Sequence, residues 1–120
     1  MSESDLKSRT KAFALRVIKL YVTLPKSVEA QVLGKQLLRS GTSVGAHYRE
    51  AQRAKSNADF ISKIEGALQE LDEAAYWLEL IEESGVFPAK RLSSLRAEAE
   101  ELTKILVSIA KQVKQRKKAD

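Results

Sequence analysis

Cysteine is absent, which removes disulfides, thiolate metal ligands and thiol redox chemistry from consideration. Proline occurs twice and glycine five times, so the turns and strand breaks of a β fold have little to build on. There is one histidine and one tryptophan, which leaves few of the residue types that dominate catalytic and metal sites. No apolar run approaches the roughly 18 residues that span a bilayer, and the opening MSESDLKSRTK has no apolar signal-peptide core. A cytoplasmic chain without membrane contact is the expectation. What remains is rich in Ala, Leu, Lys and Glu, residues that lose little entropy in a helix, and 120 residues suit a single domain over 1–120.

Charge is unevenly distributed. Residues 1–56 hold 11 Lys and Arg against 4 Asp and Glu, a net +7; residues 57–110 hold 5 against 11, a net −6; residues 111–120 hold 5 against 1, a net +4. Such segregation attracts either nucleic acid or another copy of the same chain.

Hydrophobic periodicity predicts four helices, at about 5–24, 27–54, 57–84 and 88–116. In the first, Leu6, Thr10, Phe13, Val17, Leu20 and Leu24 recur at spacings of three and four, and Pro25 ends it. Ser27 is a candidate N-cap for the second, whose apolar face is Ala30, Leu33, Leu37, Gly41, Val44, Tyr48 and Ala51. Ser56 with Asp59 has capping-box spacing at the start of the third. That helix carries a seam of Ile61, Ile64, Leu68, Leu71, Ala75 and Leu78, widened by Phe60, Ala67, Ala74, Trp77 and Ile81 to an arc of roughly 200°, more than one bundle core requires. Ser84 and Gly85 supply a stop, Pro88 opens the last helix, and Leu92, Leu95, Ala99, Leu102, Leu106, Ile109 and Val113 form a narrow heptad seam. The basic end, 111–120, is expected to fray. Short connections favour an all-α, antiparallel up-down four-helix bundle that oligomerises. The same periodicity also fits a few long helices that form a bundle only by pairing between chains.

Candidate sites follow from helix geometry. The segment Gly41, Thr42, Ser43, Val44, Gly45 has the G-x-S-x-G pattern of a nucleophile elbow, which requires a strand before it; here it falls inside a helix, so no catalytic residue is assigned. Bundles that hold two metal ions use Glu-x-x-His pairs, and the residue three before His47 is Val44, so neither metal nor cofactor is expected. Gly34, Gly41 and Gly45 line one flank of the second helix, where missing side chains permit close approach of another helix. The opposite flank carries Gln36, Ser40, Ser43, His47 and Glu50. On the third helix Lys63, Glu70 and Trp77 recur at heptad spacing beside the apolar arc, as at an interface rim. The expected subunit contact therefore comprises Gly34, Gly41, Gly45, Ser43, His47, Glu50, Phe60, Lys63, Glu70, Trp77 and Ile81. Lys35, Arg39, Arg49 and Arg53 fall within an arc of about 80° on the second helix. They are candidate phosphate contacts, joined by Lys111, Lys114, Arg116, Lys117 and Lys118 at the C-terminal end. An ordinary solvated face is the alternative, and no base-reading motif is present.

The run LPKSVEAQVLGKQLLRSGTSVGAHYREAQRAKSNADFISKIEGALQELDEAAYWLELIEESG resembles the proteins encoded in intervening sequences of bacterial 23S ribosomal RNA genes. The resemblance rests on Gln36, RSGTSVGA, Tyr48, Arg49, Glu50, Ala51, Asp59, Phe60, Lys63, Glu70, Asp72, Glu73, Tyr76 and Trp77 in order; where that family has Asn before the tyrosine, this chain has His47. It implies a four-helix protomer in a ring, typically a homopentamer, without enzymatic activity. A related branch resembles the accessory subunit of diversity-generating retroelements, which partners a reverse transcriptase and nucleic acid. Function is thus expected to be non-catalytic, with self-association and RNA or DNA as partners; the alternative is a protein adaptor or scaffold that does not bind nucleic acid.

Overall fold

A computed structural model describes the backbone of residues 3–119 and the side chains of residues 5–116. Four helices account for nearly all of it: α1 (Glu3–Thr23), α2 (Val28–Gln52), α3 (Asn57–Glu83) and α4 (Ala89–Ala119). Local chemistry sets their limits. Ser27 Oγ accepts the Ala30 amide at 3.4 Å, and Ser56 Oγ accepts the Asp59 amide at 3.0 Å. Each hydroxyl thereby satisfies an amide that lacks an intrahelical acceptor. The Asp59 carboxylate reaches back past Ser56 to the Lys55 amide at 3.2 Å. Gly85, at φ +74, ends α3 in the left-handed region that only glycine occupies cheaply.

The helices form a box of 53 × 20 × 20 Å. Backbones approach closely between α1 and α2, α2 and α3, α3 and α4 and sparsely α1 and α4, and not, among the described residues, between α1 and α3 or α2 and α4; each of these last pairs is diagonal. Register is fixed by specific neighbours. Gly34 packs on Tyr21 and Leu24, Gly41 on Val17, and Gly45 on Thr10. Between α2 and α3, Arg39 meets Glu70 and Glu73, and His47 meets Gly66.

α1 buries Leu6, Thr10, Phe13, Val17 and Leu20 within the helix and Leu24 just beyond it. The polar member, Thr10, is satisfied by its own helix, donating to Leu6 O at 2.8 Å. The buried line of α3 is Ile64, Ala67, Leu71, Ala74, Leu78 and Ile81, rotated from the heptad seam, with Leu68 and Phe60 only half-buried. Its wide apolar arc has an internal cause: α3 is covered by α2 on one side and α4 on the other. In α4 the seam holds through Leu106 and then shifts from Ile109 to Ala110, because a straight helix of 3.6 residues per turn drifts against a seven-residue repeat. α4 continues to Ala119, held by buried Ala110, half-buried Val113 and a 2.8 Å ion pair from Lys114 to Glu65 on α3.

Candidate nucleic-acid interface

The basic residues expected to form one patch have separate fates. Arg39 is neutralised within the chain: its guanidinium donates to Glu70 at 3.0 Å and to Glu73 at 2.6 Å, bridging α2 and α3. Lys114 is paired with Glu65. Both are corrected from free phosphate contacts to intrachain ties, because α3 places its carboxylates along the seam it shares with each neighbour. Lys35, Arg49, Arg53, Lys111 and Arg116 remain exposed, with no carboxylate in ion-pair range among the described residues. The side chains of Lys117 and Lys118 lie outside the described residues.

Geometry then divides the survivors. The C-terminal end of α2, the start of α3, the N-terminal end of α1 and the end of α4 meet around one cavity, of about 550 Å³, lined by Leu6, Tyr48, Lys55, Phe60, Val113 and Arg116 among others. Arg49 lies in the last turn of α2 and Arg53 is its C-cap, next to this end. Lys35 stands some 18 residues earlier, roughly 27 Å along the helix at 1.5 Å per residue. One end of the molecule thus gathers Arg49, Arg53, Lys55 and Arg116 from two helices and a connection. Periodicity does not single out Lys55, because it belongs to no helix face; its place in the short gap between helices is its only sequence signal.

The expected subunit contact also divides. Gly34, Gly41 and Gly45 are buried against α1, and Ile81 is 0% exposed. None of these four reaches the protomer surface. A methyl group at Gly41 would lie 2.8 Å from Val17 Cγ2, so the missing side chain is filled by this chain's own first helix. On the other flank, Ser43 Oγ donates to Arg39 O at 2.7 Å and Ser40 Oγ to Gln36 O at 3.0 Å. Lys63 lies 3.7 Å from Glu50, and Glu70 is held by Arg39. These polar groups mostly close the seam between α2 and α3 from within.

Among the described residues two groups on that seam have no hydrogen-bond partner, His47 Nδ1 and Trp77 Nε1, both buried atoms. The His47 imidazole lies against Gly66, where an added Cβ would meet Nδ1 at 3.0 Å, and its nearest carboxylate is Glu50 at 3.7 Å. Gly66 is the partner that the sequence pattern does not reveal. Trp77 is half-buried, with exposed Tyr76 tilted beside it at 5.2 Å between ring centroids. Ser43 Oγ donates to its own helix and not to an imidazole base. Among the described residues no three His, Asp or Glu side chains converge as metal ligands, and no helix is long and apolar enough to cross a membrane.

One ion pair shifts titration. Arg9 Nε and Nη2 donate to the two oxygens of Glu98 at 2.8 and 2.9 Å, joining α1 to α4. The paired hydrogen bonds hold the Glu98 carboxyl below the usual carboxylate range, against the opposing effect of burial, and raise Arg9.

The model of the 23S rRNA-intervening sequence protein family matches residues 2–108. Among solved structures, a protein of unknown function from the S23 ribosomal protein family of Bacteroides thetaiotaomicron is 40% identical, with a TM-score of 0.86 over 92% of this chain and 99% of that one. No curated protein matches.

Proposed function

The chain belongs to the 23S rRNA-intervening sequence protein family, and from that premise we propose that it is an antiparallel up-down protomer of a cytoplasmic, non-catalytic homo-oligomer that binds nucleic acid. Five copies is the number the resemblance implies. The observation that carries the binding half is the cluster of Arg49, Arg53, Lys55 and Arg116 at one end, exposed and without carboxylate partners among the described residues. Of the other cations, carboxylates hold Arg9, Arg39, Lys63, Arg96, Lys104 and Lys114, while Lys11, Lys19, Lys35 and Lys111 are exposed and without ion pairs among the described residues. Cations left unpaired at one end suit a polyanion whose condensed counterions they displace. The surface there offers charge without base-reading geometry, so recognition follows the phosphate backbone and its shape.

Assembly is supported by apolar side chains that the fold leaves outside: Leu15 at 50%, Val22 at 68%, Val28 at 78%, Val32 at 56% and Tyr76 at 53% exposure. Grouped exposed apolar residues mark interaction surfaces more than scattered ones do.

The experiment is fluorescence anisotropy with labelled single-stranded and duplex RNA across a range of salt. Binding is expected to weaken steeply as salt rises. Replacing Arg49, Arg53 and Lys55 together with Glu is expected to weaken it further and make the salt slope for duplex shallower by about 2–3 units, near 0.9 for each phosphate no longer neutralised. Binding that ignores both salt and these replacements contradicts the phosphate reading. No binding at any salt, with retention of a partner protein after nuclease treatment, favours the adaptor instead.

A further inference from the structure

The outward faces of the two diagonal helices α1 and α3 differ in kind. Along α1, Leu15, Ile18 and Val22 follow each other at spacings of three and four and are 50%, 40% and 68% exposed. Lys11 and Lys19 flank them, exposed and without ion-pair partners among the described residues, and no acidic residue occurs from Leu6 to Val28. The result is a ridge of aliphatic side chains edged by lysine. Along α3, Asp72, Tyr76 and Glu79 face outward over an open groove toward α4, whose lining adds Glu73, Glu100 and Arg96. Arg96 is tied to Glu82 at 2.9 Å, so the groove stays acidic around an exposed aromatic ring.

Height along the molecule matches as well. Val17 stands level with Gly41, and two residues earlier in α2 Arg39 meets Glu70 and Glu73. Ile18 and Lys19 are therefore at about the level of Asp72 and Tyr76, and α1 and α3 run in the same direction. Two copies placed side by side, with no axial shift, bring the ridge of one against the groove of the next.

We propose that the α1 ridge (Lys11, Leu15, Ile18, Lys19, Val22) of one copy docks in the acidic, tyrosine-centred groove of α3 and α4 (Asp72, Tyr76, Glu79) of another copy. The contact rests on the self-association put forward above and specifies its surfaces. It is heterologous, because ridge and groove sit at opposite corners; each copy uses one face forward and the other behind, the arrangement that forms a ring when the rotation between copies closes and a filament when it does not. It accounts for features that a phosphate contact does not: aliphatic groups add nothing to phosphate binding, and the acidic groove repels it. Aliphatic side chains entering beside Tyr76 lose water-exposed area, while lysines at the ridge edge meet carboxylates at the rim. The contact also leaves Arg49, Arg53, Lys55 and Arg116 uncovered, since they lie on other elements or at the end of the molecule.

The absence of native cysteine makes the test clean. Ile18→Cys and Tyr76→Cys are made on separate chains, mixed and oxidised; a disulfide joining one chain of each kind is expected, and none in either variant alone. Light scattering then follows charge reversal. Lys11→Glu with Lys19→Glu is expected to raise the concentration needed for assembly by about a hundredfold or more, and adding Asp72→Lys with Glu79→Lys in the same chain to restore it. Circular dichroism confirms that each variant is folded. If the native chain assembles but the mixed disulfide does not form and the reversed chains keep their mass, this contact is wrong and the assembly reading stands. A native chain that stays monomeric removes both. Native protein sedimenting with anionic phosphatidylglycerol vesicles, lost on Lys11→Glu and Lys19→Glu with mass unchanged, assigns the ridge to a lipid surface and overturns the proposal.

Discussion

The methyl group that Gly41 lacks is replaced by Val17, and the one Gly45 lacks is replaced less tightly by Thr10, whose Oγ1 would stand 3.2 Å from an added Cβ. The two positions therefore differ in tolerance. Gly41→Ala gains up to about 1 kcal/mol in helix propensity but forces Val17 away, an overpacking that costs about 1–3 kcal/mol. Net destabilisation of up to about 2 kcal/mol is expected, with a fall in Tm of up to about 8 °C, and Gly45→Ala is expected to be milder; paired thermal melts rank them. Gly66→Ala acts on a different neighbour, because its methyl would press on the His47 ring at 3.0 Å. The residue types on the second helix flank are legible as packing devices. Whether they serve a neighbour in the same chain or in another depends on which helix lies opposite, and that information is spread over residues far apart in sequence.

At the scale of elements, the weakest contact is between α1 and α4, and it is bridged by polar groups: Arg9 with Glu98, and Arg16 Nη2 donating to Ser94 Oγ at 2.8 Å. A double-mutant cycle of Arg9→Ala and Glu98→Ala is expected to give a coupling of about 1 kcal/mol, at the upper end for partly exposed pairs because both guanidinium bonds are made. Its pH dependence has a definite sign. Glu98 releases its proton more readily in the fold than in the unfolded chain. The stabilisation is therefore complete above the usual carboxylate range, and is lost as pH falls through that range to the lowered native value. Urea unfolding of native protein and Glu98→Gln should converge in acid and separate near neutrality. Such pairings are not readable from sequence, since Arg9 and Glu98 are 89 positions apart. The apolar line of α1 is readable, because spacing alone determines it. The line of α3 is only half readable, because a helix covered on two sides buries a broader arc than a heptad describes.

Across the whole molecule, the charge segregation visible in the sequence becomes spatial. α4 and α1 carry the excess of cations, α3 the excess of carboxylates, and the diagonal placement of α1 and α3 sends opposite charge to opposite corners. The cation cluster at the end of the box comes from residues 49, 53, 55 and 116, which only the fold brings together. The exposed aliphatic residues of α1 are inconspicuous in the sequence because each stands beside an apolar neighbour, Leu15 after Ala14, Ile18 after Val17 and Val22 after Tyr21; they become a separate line only once the buried face is known. An assembled object explains both that line and the acidic corner, and its existence rests on one quantity. Light scattering on the purified native chain at tens of micromolar is expected to give a single species at a multiple of 13.4 kDa. A species of 13.4 kDa at that concentration contradicts the account.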